Sequence, residues 1–396
     1  MKNNRTFLEK LLDGAEVKWK PLINVASLTR GRVISKEYLA NNLGDYPVYS
    51  SQTVNNGEIG KINSFDFDGE FVSWTTDGAN AGTVFYRSGK FSITNVCGLI
   101  KIQNNLELNY KFLFYWLSIE AKNHVYSGMG NPKLMSHQME KILIPIPPLS
   151  VQTEIVKILD ALTVLTSELT SELTLRRKQY EYYREKLLSE EELEKVGFKW
   201  KTLEELVEKT QNIRWKNNTK TYRYIDLTSV DRENNNITGT IEINALNAPS
   251  RAQKIVKEND VIFATTRPTQ QRVALISKEF SNEIASTGYC VLRAKTNIVL
   301  PKWLFYFLST INFKNYVEEN QSGSAYPAIS DSKIKEFRIP VPEVTIQQNI
   351  IEKLDKFYSL TNSLLHGLPK EINNRTKQYS YYQKELLNFL GREIYE

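Results

Sequence analysis

Polar and basic side chains follow a short apolar run in the second half of the chain. After the strand-like run Val261–Ala264 come Thr265, Thr266, Arg267, Gln270, Gln271 and Arg272. In the major groove of DNA, arginine can donate two hydrogen bonds to guanine and glutamine can bond adenine, and threonine hydroxyls can bind phosphate. This segment is therefore a candidate for DNA contact, with an ordinary polar loop as the alternative.

The first half of the chain offers two weaker candidates of the same kind. One is the corresponding loop, which contains Thr75, Thr76 and Asn80; it has no arginine, and Gly82 stands where the second half has Arg272. This loop should read different bases or contact only the DNA backbone. The other candidate lies before a turn signal and consists of Ser51, Gln52 and Thr53. It could read bases, and a simple turn is the alternative.

Two pairs of basic residues could hold phosphate. Arg30 and Arg32 flank a glycine, and Arg214 and Lys216 flank a tryptophan. Contacts to phosphate position a protein on DNA without specifying the sequence. Solvated surface charge is the alternative for both pairs.

Motifs that carry catalysis are missing from the sequence. It contains no phosphate-binding Gly-x-x-x-x-Gly-Lys-Ser/Thr loop, no Gly-x-Gly-x-x-Gly, no Gly-x-Ser-x-Gly and no Asn/Asp-Pro-Pro-aromatic motif of amino-methyltransferases. The chain has only three histidines, and its two cysteines, Cys97 and Cys290, form no metal-type pair. We predict a non-catalytic chain without a metal or cofactor, in which both cysteines are core strand residues.

Composition bounds the remaining possibilities. The chain has 396 residues, enough for two or more domains, and its net charge of +6 permits nucleic acid as a partner without requiring it. No apolar run approaches the ~20 residues that a membrane helix needs. The N-terminal residues Met1–Arg5 are polar, with no apolar segment behind them. We therefore expect a cytoplasmic protein.

The chain repeats itself. Ile144–Pro147 recurs as Ile339–Pro342, and the same offset of 195 positions relates Gln152 to Gln347. Further on, the sequence Lys-Gln-Tyr-x-Tyr-Tyr begins at Lys178 and again, at an offset of 199, at Lys377. Each half thus has a variable globular part followed by a strongly matched tail.

Each tail has the spacing of a long helix. In the first, apolar residues recur every three or four positions from Val151 to about Leu188, with Ser150 as the predicted N-cap. In the second, Gly367 and Pro369 predict that the helix stops and restarts. The likeness of the tails predicts two long antiparallel helices side by side.

In the globular parts, short apolar runs at Phe71–Trp74, Val84–Tyr86, Val261–Phe263 and Tyr289–Leu292 predict strands separated by turn signals. Aromatic runs at Phe112–Leu117 and Trp303–Leu308 predict helices, so each globular part should be mixed α/β.

The two tails resemble the repeated helical regions of type I restriction–modification specificity subunits. The resemblance rests on the segment Ile-Pro-Ile-Pro-Pro-Leu-x-x-Gln, the leucine-striped helix and the ending Arg-Lys-Gln-Tyr-Glu-Tyr-Tyr-Arg, together with the second tail. Val261–Pro268 resembles part of the family's target-recognition domains. The resemblance covers nearly the whole chain.

This resemblance implies a DNA-reading subunit of α/β fold, with two pseudo-symmetric target-recognition domains separated by two long antiparallel coiled-coil helices. It implies recognition domains at residues 1–148 and 198–343 and helical spacers at 149–197 and 344–396. Each domain would bind half of a split, asymmetric target in double-stranded DNA. The partners implied are two methyltransferase subunits and, in a restricting complex, endonuclease subunits. S-adenosylmethionine, ATP and magnesium would belong to these partners.

Further features of the helices bear on partners and spacing. Tyr182, Tyr381 and Arg184 are candidates for docking a partner, whereas Tyr180 and Tyr183 continue the apolar stripe and should pack between helices. The tetrapeptide Thr-Ser-Glu-Leu occurs twice in Thr166–Leu173. In the family the number of such repeats is thought to set the separation of the recognition domains.

Three other functions are alternatives to a specificity subunit. A non-catalytic coiled-coil scaffold would explain the helices but not the duplicated loop-rich domains. A self-sufficient restriction or modification enzyme would need a motif that the sequence lacks. A duplicated DNA reader that serves a non-restriction complex is compatible with every feature above.

Overall fold

The computed structural model describes residues 6–128, 130–232, 234–363 and 366–389. The polar N-terminal residues Met1–Arg5 lie outside this part of the chain. The chain forms two compact units, one within residues 1–166 and 375–396 and the other within residues 167–374. Each unit contains one globular part of mixed α/β structure, as predicted, together with a piece of the helical tail of the other repeat.

The first unit begins with a short helix and continues with alternating strands and helices. Its elements are α1 (Phe7–Leu12), β1 (Lys18–Pro21), β2 (Ala26–Arg30), α2 (Lys36–Asn41), β3 (Leu43–Tyr49), β4 (Glu58–Ile62), β5 (Phe67–Thr75), β6 (Val84–Ile93), β7 (Cys97–Ile102), α3 (Tyr110–Glu120), α4 (Ser136–Met139), β8 (Leu143–Ile146) and the start of α5 (Leu149–Leu187).

One six-stranded sheet dominates this unit, in the order β2-β7-β5-β6-β3-β4. All of its pairings are antiparallel except that of β3 with β6. Helix α3 packs its buried aromatic face into the core, where Trp74 and Phe112 are fully enclosed. The predicted strands around Phe71–Trp74 and Val84–Tyr86 and the predicted helix at Phe112–Leu117 are confirmed.

The second unit repeats this plan with its strands divided between sheets. Its elements after α5 are α6 (Glu190–Glu194), β9 (Lys199–Thr202), α7 (Leu203–Leu206), β10 (Val207–Glu208), β11 (Tyr222–Ile225), β12 (Ile241–Ile243), β13 (Ala252–Ile255), β14 (Val261–Ala264), β15 (Val273–Leu275), β16 (Ile284–Ser286), β17 (Tyr289–Ala294), α8 (Pro301–Phe307), α9 (Ile311–Asn320), α10 (Asp331–Glu336), β18 (Arg338–Val341) and α11 (Val344–Asn362). The last helix of the chain is α12 (Leu368–Leu386).

Two four-stranded sheets form the centre of the second unit. Their orders are β10-β17-β14-β15 and β12-β11-β16-β13. Strand β14, the predicted run Val261–Ala264, is buried along its whole length between β15 and β17. The predicted strand at Tyr289–Leu292 and the predicted helix at Trp303–Leu308 are also confirmed, as β17 and α8.

The first long helix matches its prediction except at its start. Helix α5 covers Leu149–Leu187, so Ser150 lies inside the first turn and the prediction that it caps the helix was wrong. The carbonyl of Pro148 accepts hydrogen bonds from the amides of Val151 and Gln152 at 2.9 and 3.1 Å, so the helical bonding begins two residues earlier than predicted. The carbonyl of the residue that precedes a helix accepts the first intrahelical hydrogen bond, and here that residue is Pro148.

The predicted break in the second tail is confirmed. Helix α11 ends at Asn362 and helix α12 begins at Leu368, directly after Gly367. Gly367 has a φ of +81°, and a Cβ added there would lie 2.7 Å from the carbonyl oxygens of Ser359 and Leu360. Both the backbone angle and the close approach therefore require glycine.

The repeated residues build the same framework in both units. β1 pairs with β8 in the first unit, as β9 pairs with β18 in the second. The fully buried Gln152 accepts the amide of Asn109 and donates to the carbonyls of Glu107 and Pro147. Gln347 does the same with the amide of Leu300 and the carbonyls of Ile298 and Pro342. These glutamines join the start of a tail helix to the globular part.

A carboxylate on each tail helix repeats this correspondence. Asp160 accepts hydrogen bonds from Tyr115 at 2.6 Å and Lys111 at 2.5 Å. Asp355 accepts them from Tyr306 at 2.5 Å and Lys302 at 2.6 Å. Burial, together with the hydrogen bond to the carboxylate, raises the pKa of both tyrosines, so each stays a neutral donor.

The tyrosines of the tails divide as the apolar stripe predicts. Within the second unit Tyr180 contacts Tyr358 edge-on at 5.9 Å between ring centroids, and Tyr183 stacks on Phe357 at 5.1 Å. Burial raises the pKa of Tyr180 to about 12. Both rings therefore serve packing. Cys97 and Cys290 are buried strand residues, as predicted, and burial raises the pKa of their thiols to about 11 and about 12.

An ion pair with a buried carboxylate should stabilise the second unit. Asp260, which is 1% exposed, accepts two hydrogen bonds from Arg293 at 2.7 and 2.8 Å. We expect Asp260→Ala to lower the free energy of unfolding by about 2–3 kcal/mol, because it removes the buried carboxylate that accepts two charged hydrogen bonds from the half-buried Arg293. Chemical unfolding followed by circular dichroism measures this. The exposed-pair control Glu336→Ala should leave the midpoint nearly unchanged, and equal effects of the two variants would contradict the prediction.

None of the helices in the described residues combines the length and apolarity needed to cross a membrane.

Candidate nucleic-acid interface

Five predicted residues of the first unit come together at one edge of its sheet. Strand β5 ends at Thr75, whose hydroxyl donates to the carbonyl of Asn80. The Asn80 amide in turn donates to the carbonyl of Ser51 at 3.4 Å, and Arg30 Nη1 donates to the hydroxyl of Thr76 at 3.4 Å. The segments 50–57 and 75–80 thus form one surface, which we call the first loop surface, and Arg30 borders it.

The threonines of this surface point inward. Thr75 and Thr76 are buried, and the Thr76 hydroxyl donates to the carbonyl of Val96 at 3.0 Å. Such hydroxyls hold the loop together and are not free for phosphate. Gln52 and Thr53 are exposed, whereas Asn80 and Ser51 are half-buried. The exposed groups available for direct contact are therefore concentrated in segment 50–57.

The two arginines of the first unit differ in their freedom. Arg30 is exposed and also donates to the carbonyl of Asn95 at 3.1 Å. Arg32 donates to both carboxylate oxygens of Asp66 at 3.0 and 3.2 Å and lies 4.9 Å from the ring centre of Tyr38. Hydrogen bonds to Tyr38 and Asp66 raise the pKa of Arg32. Its charge is thus largely balanced within the unit.

In the second unit the predicted segment forms a tightly bent loop, residues 265–272, which we call the second loop surface. Arg267 and Gln271 both have left-handed backbone, with φ of 50° and 47°. Arg267 is exposed, and its guanidinium lies 5.5 Å from the ring centre of Tyr326. Gln270 is half-buried. A non-glycine residue with positive φ has a strained backbone, and such strained residues are common in functional loops.

Other side chains of this loop serve its own structure. The hydroxyl of the buried Thr265 donates to the carbonyl of Gly288 at 2.9 Å, and Gln271 donates to the carbonyl of Thr310 at 3.4 Å. Arg272 Nη1 donates to the carbonyls of Leu227 and Val230 at 2.8 and 2.6 Å. Arg272 therefore braces a neighbouring turn, and Arg267 is the arginine that faces solvent.

Arg214 and Lys216 belong to a different part of the second unit. Both are exposed and flank Trp215, whose indole nitrogen donates to the carbonyl of Ala252 at 2.9 Å. Ala252 begins β13, whereas the second loop surface follows β14 in the other sheet. This basic pair is therefore anchored through Trp215 to β13. Among the described residues, no hydrogen bond joins the pair to the second loop surface.

Sequence reasoning missed one segment in each unit that completes these surfaces. In the first unit, the amide of Gly78 donates to the carbonyl of Pro132 and the amide of Leu134 to that of Thr76. In the second, the amide of Arg267 donates to the carbonyl of Pro327 at 2.7 Å. These segments expose the tyrosines Tyr126 and Tyr326. The sequence did contain a signal for these segments, because Ser127–Gly128 and Pro132 recur as Ser322–Gly323 and Pro327 at the same offset of 195 positions.

The predicted docking residues also occupy distinct positions. Tyr182 and Tyr381 are each 60% exposed. The side chain of Arg184 is only 12% exposed; it pairs with Glu185 at 2.8 Å and lies over the ring of Tyr180. The tyrosines can be touched by a partner directly, whereas Arg184 would act through the position of Tyr180. Among the described residues, no group of histidine, cysteine or acidic side chains is arranged to hold a metal ion.

Comparison with known proteins identifies these two units. The family model of the type I restriction modification DNA specificity domain matches residues 15–175 and again residues 195–374. A putative type I specificity subunit of Mycoplasma pneumoniae is 32% identical over 96% of this chain and 99% of its own length. A putative type I restriction enzyme specificity subunit of Haemophilus influenzae is 34% identical over 98% of this chain and 100% of its own length.

Two further comparisons agree. The EcoR124I/EcoR124II specificity subunit of Escherichia coli is 29% identical over 97% of both chains. The crystal structure of a type I restriction-modification S subunit from M. genitalium shares the fold, with a TM-score of 0.61 over 98% of this chain and 97% of that chain at 16% identity. The chain therefore belongs to the type I restriction–modification specificity subunits and carries two copies of their DNA specificity domain.

Proposed function

We propose that the chain recognises a split, asymmetric target in double-stranded DNA and directs methyltransferase and endonuclease subunits to it. The observation that carries this proposal is a shared framework with unlike loops. Gln152 and Gln347 hold the same backbone positions in the two units, yet the loops that follow β5 and β14 differ in sequence. Two domains of one architecture with different exposed side chains would read different bases.

Direct readout is assigned to the exposed or half-buried polar groups of the two loop surfaces. These are Ser51, Gln52, Thr53 and Asn80 in the first and Thr266, Arg267, Gln270 and Gln271 in the second. Thr75, Thr76, Thr265 and Arg272 would shape the loops that carry them. Arg30, Arg32, Arg214 and Lys216 would contact phosphate, Arg32 only when DNA competes for its bond to Asp66.

Partner binding is assigned to the tail helices. Tyr182 and Tyr381 occupy corresponding positions of the two repeats and are equally exposed, so two copies of one methyltransferase subunit could use them in the same way. Arg184 would support this contact indirectly. The recognition domains would be residues 1–148 and 198–343, the helical spacers would be 149–197 and 344–396, and the complex would act in the cytoplasm without chemistry from this chain.

Methylation mapping in cells tests this function. The chain is expressed with its cognate modification subunit, and methylated positions are compared with those in cells that lack the chain. We expect a motif of two short blocks around a fixed unspecified gap, present only with this chain. Methylation unchanged by its removal would refute the function and favour a scaffold or another complex.

The substitution Arg267→Ala tests which block of the methylated target the second loop surface recognises. Because Arg267 is its solvent-facing arginine, we expect discrimination at one position of one block to fall by about tenfold, with the other block unaffected. The control Lys257→Ala removes an exposed cation that lies before β14, outside the second loop surface, and should preserve both blocks. A wild-type motif in the Arg267 variant would remove Arg267 from the base-reading set.

A further inference from the structure

A buried arginine lies behind the first loop surface, at a position that the sequence did not mark. Arg87, on β6, is 2% exposed. Its guanidinium donates to the hydroxyl of Ser73 at 3.0 Å and to the backbone carbonyl of Asn56 at 2.9 Å, and it lies 3.6 Å from the ring centre of Tyr49. Burial lowers the pKa of Arg87 to about 10, so it remains charged at neutral pH.

The carbonyl that Arg87 holds belongs to an unusual turn. Asn55, Asn56 and Gly57 are consecutive and all left-handed, with φ of 51°, 53° and 81°. Each non-glycine residue in this region costs about 1–3 kcal/mol and persists only where its surroundings fix it. Arg87 donates a charged hydrogen bond to the carbonyl of Asn56, the middle residue of the three. The turn is closed by the amide of Ser50, which donates to the carbonyl of Gly57 at 2.8 Å.

This turn presents exposed side chains of the kind that read DNA. Gln52 and Thr53 are exposed, and Val54 is 76% exposed although it is apolar. Gln52 also donates to the carbonyl of Glu58 at 2.5 Å, which ties the chain before the turn to the strand after it. An exposed apolar side chain on a fixed loop fits contact with the methyl group of thymine in the major groove.

We propose that Arg87 is a positioning residue for base recognition by segment 50–57, and that Val54 is a specificity-determining residue at the tip of that segment. The inference rests on the proposed function and deepens it. Arg87 touches no DNA; it fixes the backbone of Asn56, and with it the direction in which Gln52, Thr53 and Val54 face the bases.

The second unit uses an arginine in a comparable way. Arg272 immediately precedes β15, the strand that pairs with β14, and donates from one nitrogen to the carbonyls of Leu227 and Val230. Arg87 likewise lies on the strand that pairs with β5. In both units the guanidinium donates hydrogen bonds to the backbone of a turn. This favours a role in positioning the turn over direct contact of the arginine with DNA.

Methylation mapping of Arg87→Gln, Arg87→Lys and Val54→Ala tests the inference. We expect Arg87→Gln to relax discrimination by about tenfold within one block, the block that Arg267→Ala leaves intact. Arg87→Lys should recover part of it, because lysine retains a charged donor but cannot bond Ser73 and Asn56 with the same geometry. Val54→Ala should relax the same block at a T·A position.

The outcomes separate this inference from the function on which it rests. Arg87→Gln also lowers stability, so Val54→Ala, an exposed substitution, decides the matter if the arginine variant does not accumulate. Unchanged motifs in the stable variants, or equal loss in both blocks, would overturn the inference while the wild-type motif keeps the proposed function intact. Absence of any chain-dependent motif in wild-type cells would refute both.

Discussion

Removal of one Thr-Ser-Glu-Leu unit, Thr170–Leu173, is expected to shorten the gap between the two blocks of the methylated target. The unit lies within the continuous helix α5, Leu149–Leu187. Four helical residues span ~6 Å, and one base pair of DNA rises ~3.4 Å, so the gap should shorten by about one or two base pairs. Methylation of the original target should be lost, and mapping should reveal the same two blocks closer together.

The helix should tolerate this deletion because four residues are close to one turn. Leu169 and Leu173 are both half-buried, and removal of the unit places residues on nearly the same face, rotated by about 40°. The length-matched control is the double substitution Thr170→Ala and Ser171→Ala, which should keep the original gap. A deleted chain that still methylates the original target would contradict the proposed role of the helix, as would a control that shifts the gap.

Substitution of the framework glutamine Gln347 is expected to cause a large loss of stability. Its amide satisfies the amide of Leu300 and the carbonyls of Ile298 and Pro342, each at 2.9 Å, and the residue is fully buried. An unsatisfied buried polar group costs about 1–3 kcal/mol, and Gln347→Ala creates more than one. We expect the free energy of unfolding to fall by about 2–4 kcal/mol, measured by urea unfolding.

Two comparisons make this result interpretable. Gln348→Ala, on the same helix, removes an exposed side chain that bonds only Glu352 among the described contacts, and it should have little effect. Gln152→Ala removes the corresponding three bonds in the first unit and should cost a similar amount. The framework argument fails if the Gln347 and Gln348 variants unfold at the same urea concentration.

The sequence by itself determined the repeat, the tail helices and the break between α11 and α12. These features depend on neighbours along the chain: apolar spacing defines α5, and Gly367 is required by its own backbone angle and a carbonyl a few residues away. The corresponding positions of Gln152 and Gln347 were visible as an offset, although their role was not. The start of α5 was misplaced because Pro148, rather than Ser150, supplies the first acceptor.

Only the tertiary structure decided which candidate side chains face solvent. Arg272 bonds Leu227, 45 residues away, and Arg87 bonds Asn56, 31 residues away. No local pattern specifies such partners, so an arginine that braces a turn and an arginine that faces DNA look alike in the sequence. Arg267 and Arg272 are five positions apart in one polar segment, yet Arg267 is exposed and Arg272 donates to backbone carbonyl oxygens. The physical reason is that backbone carbonyls removed from water need a donor, and only the fold decides which side chain lies close enough to supply it.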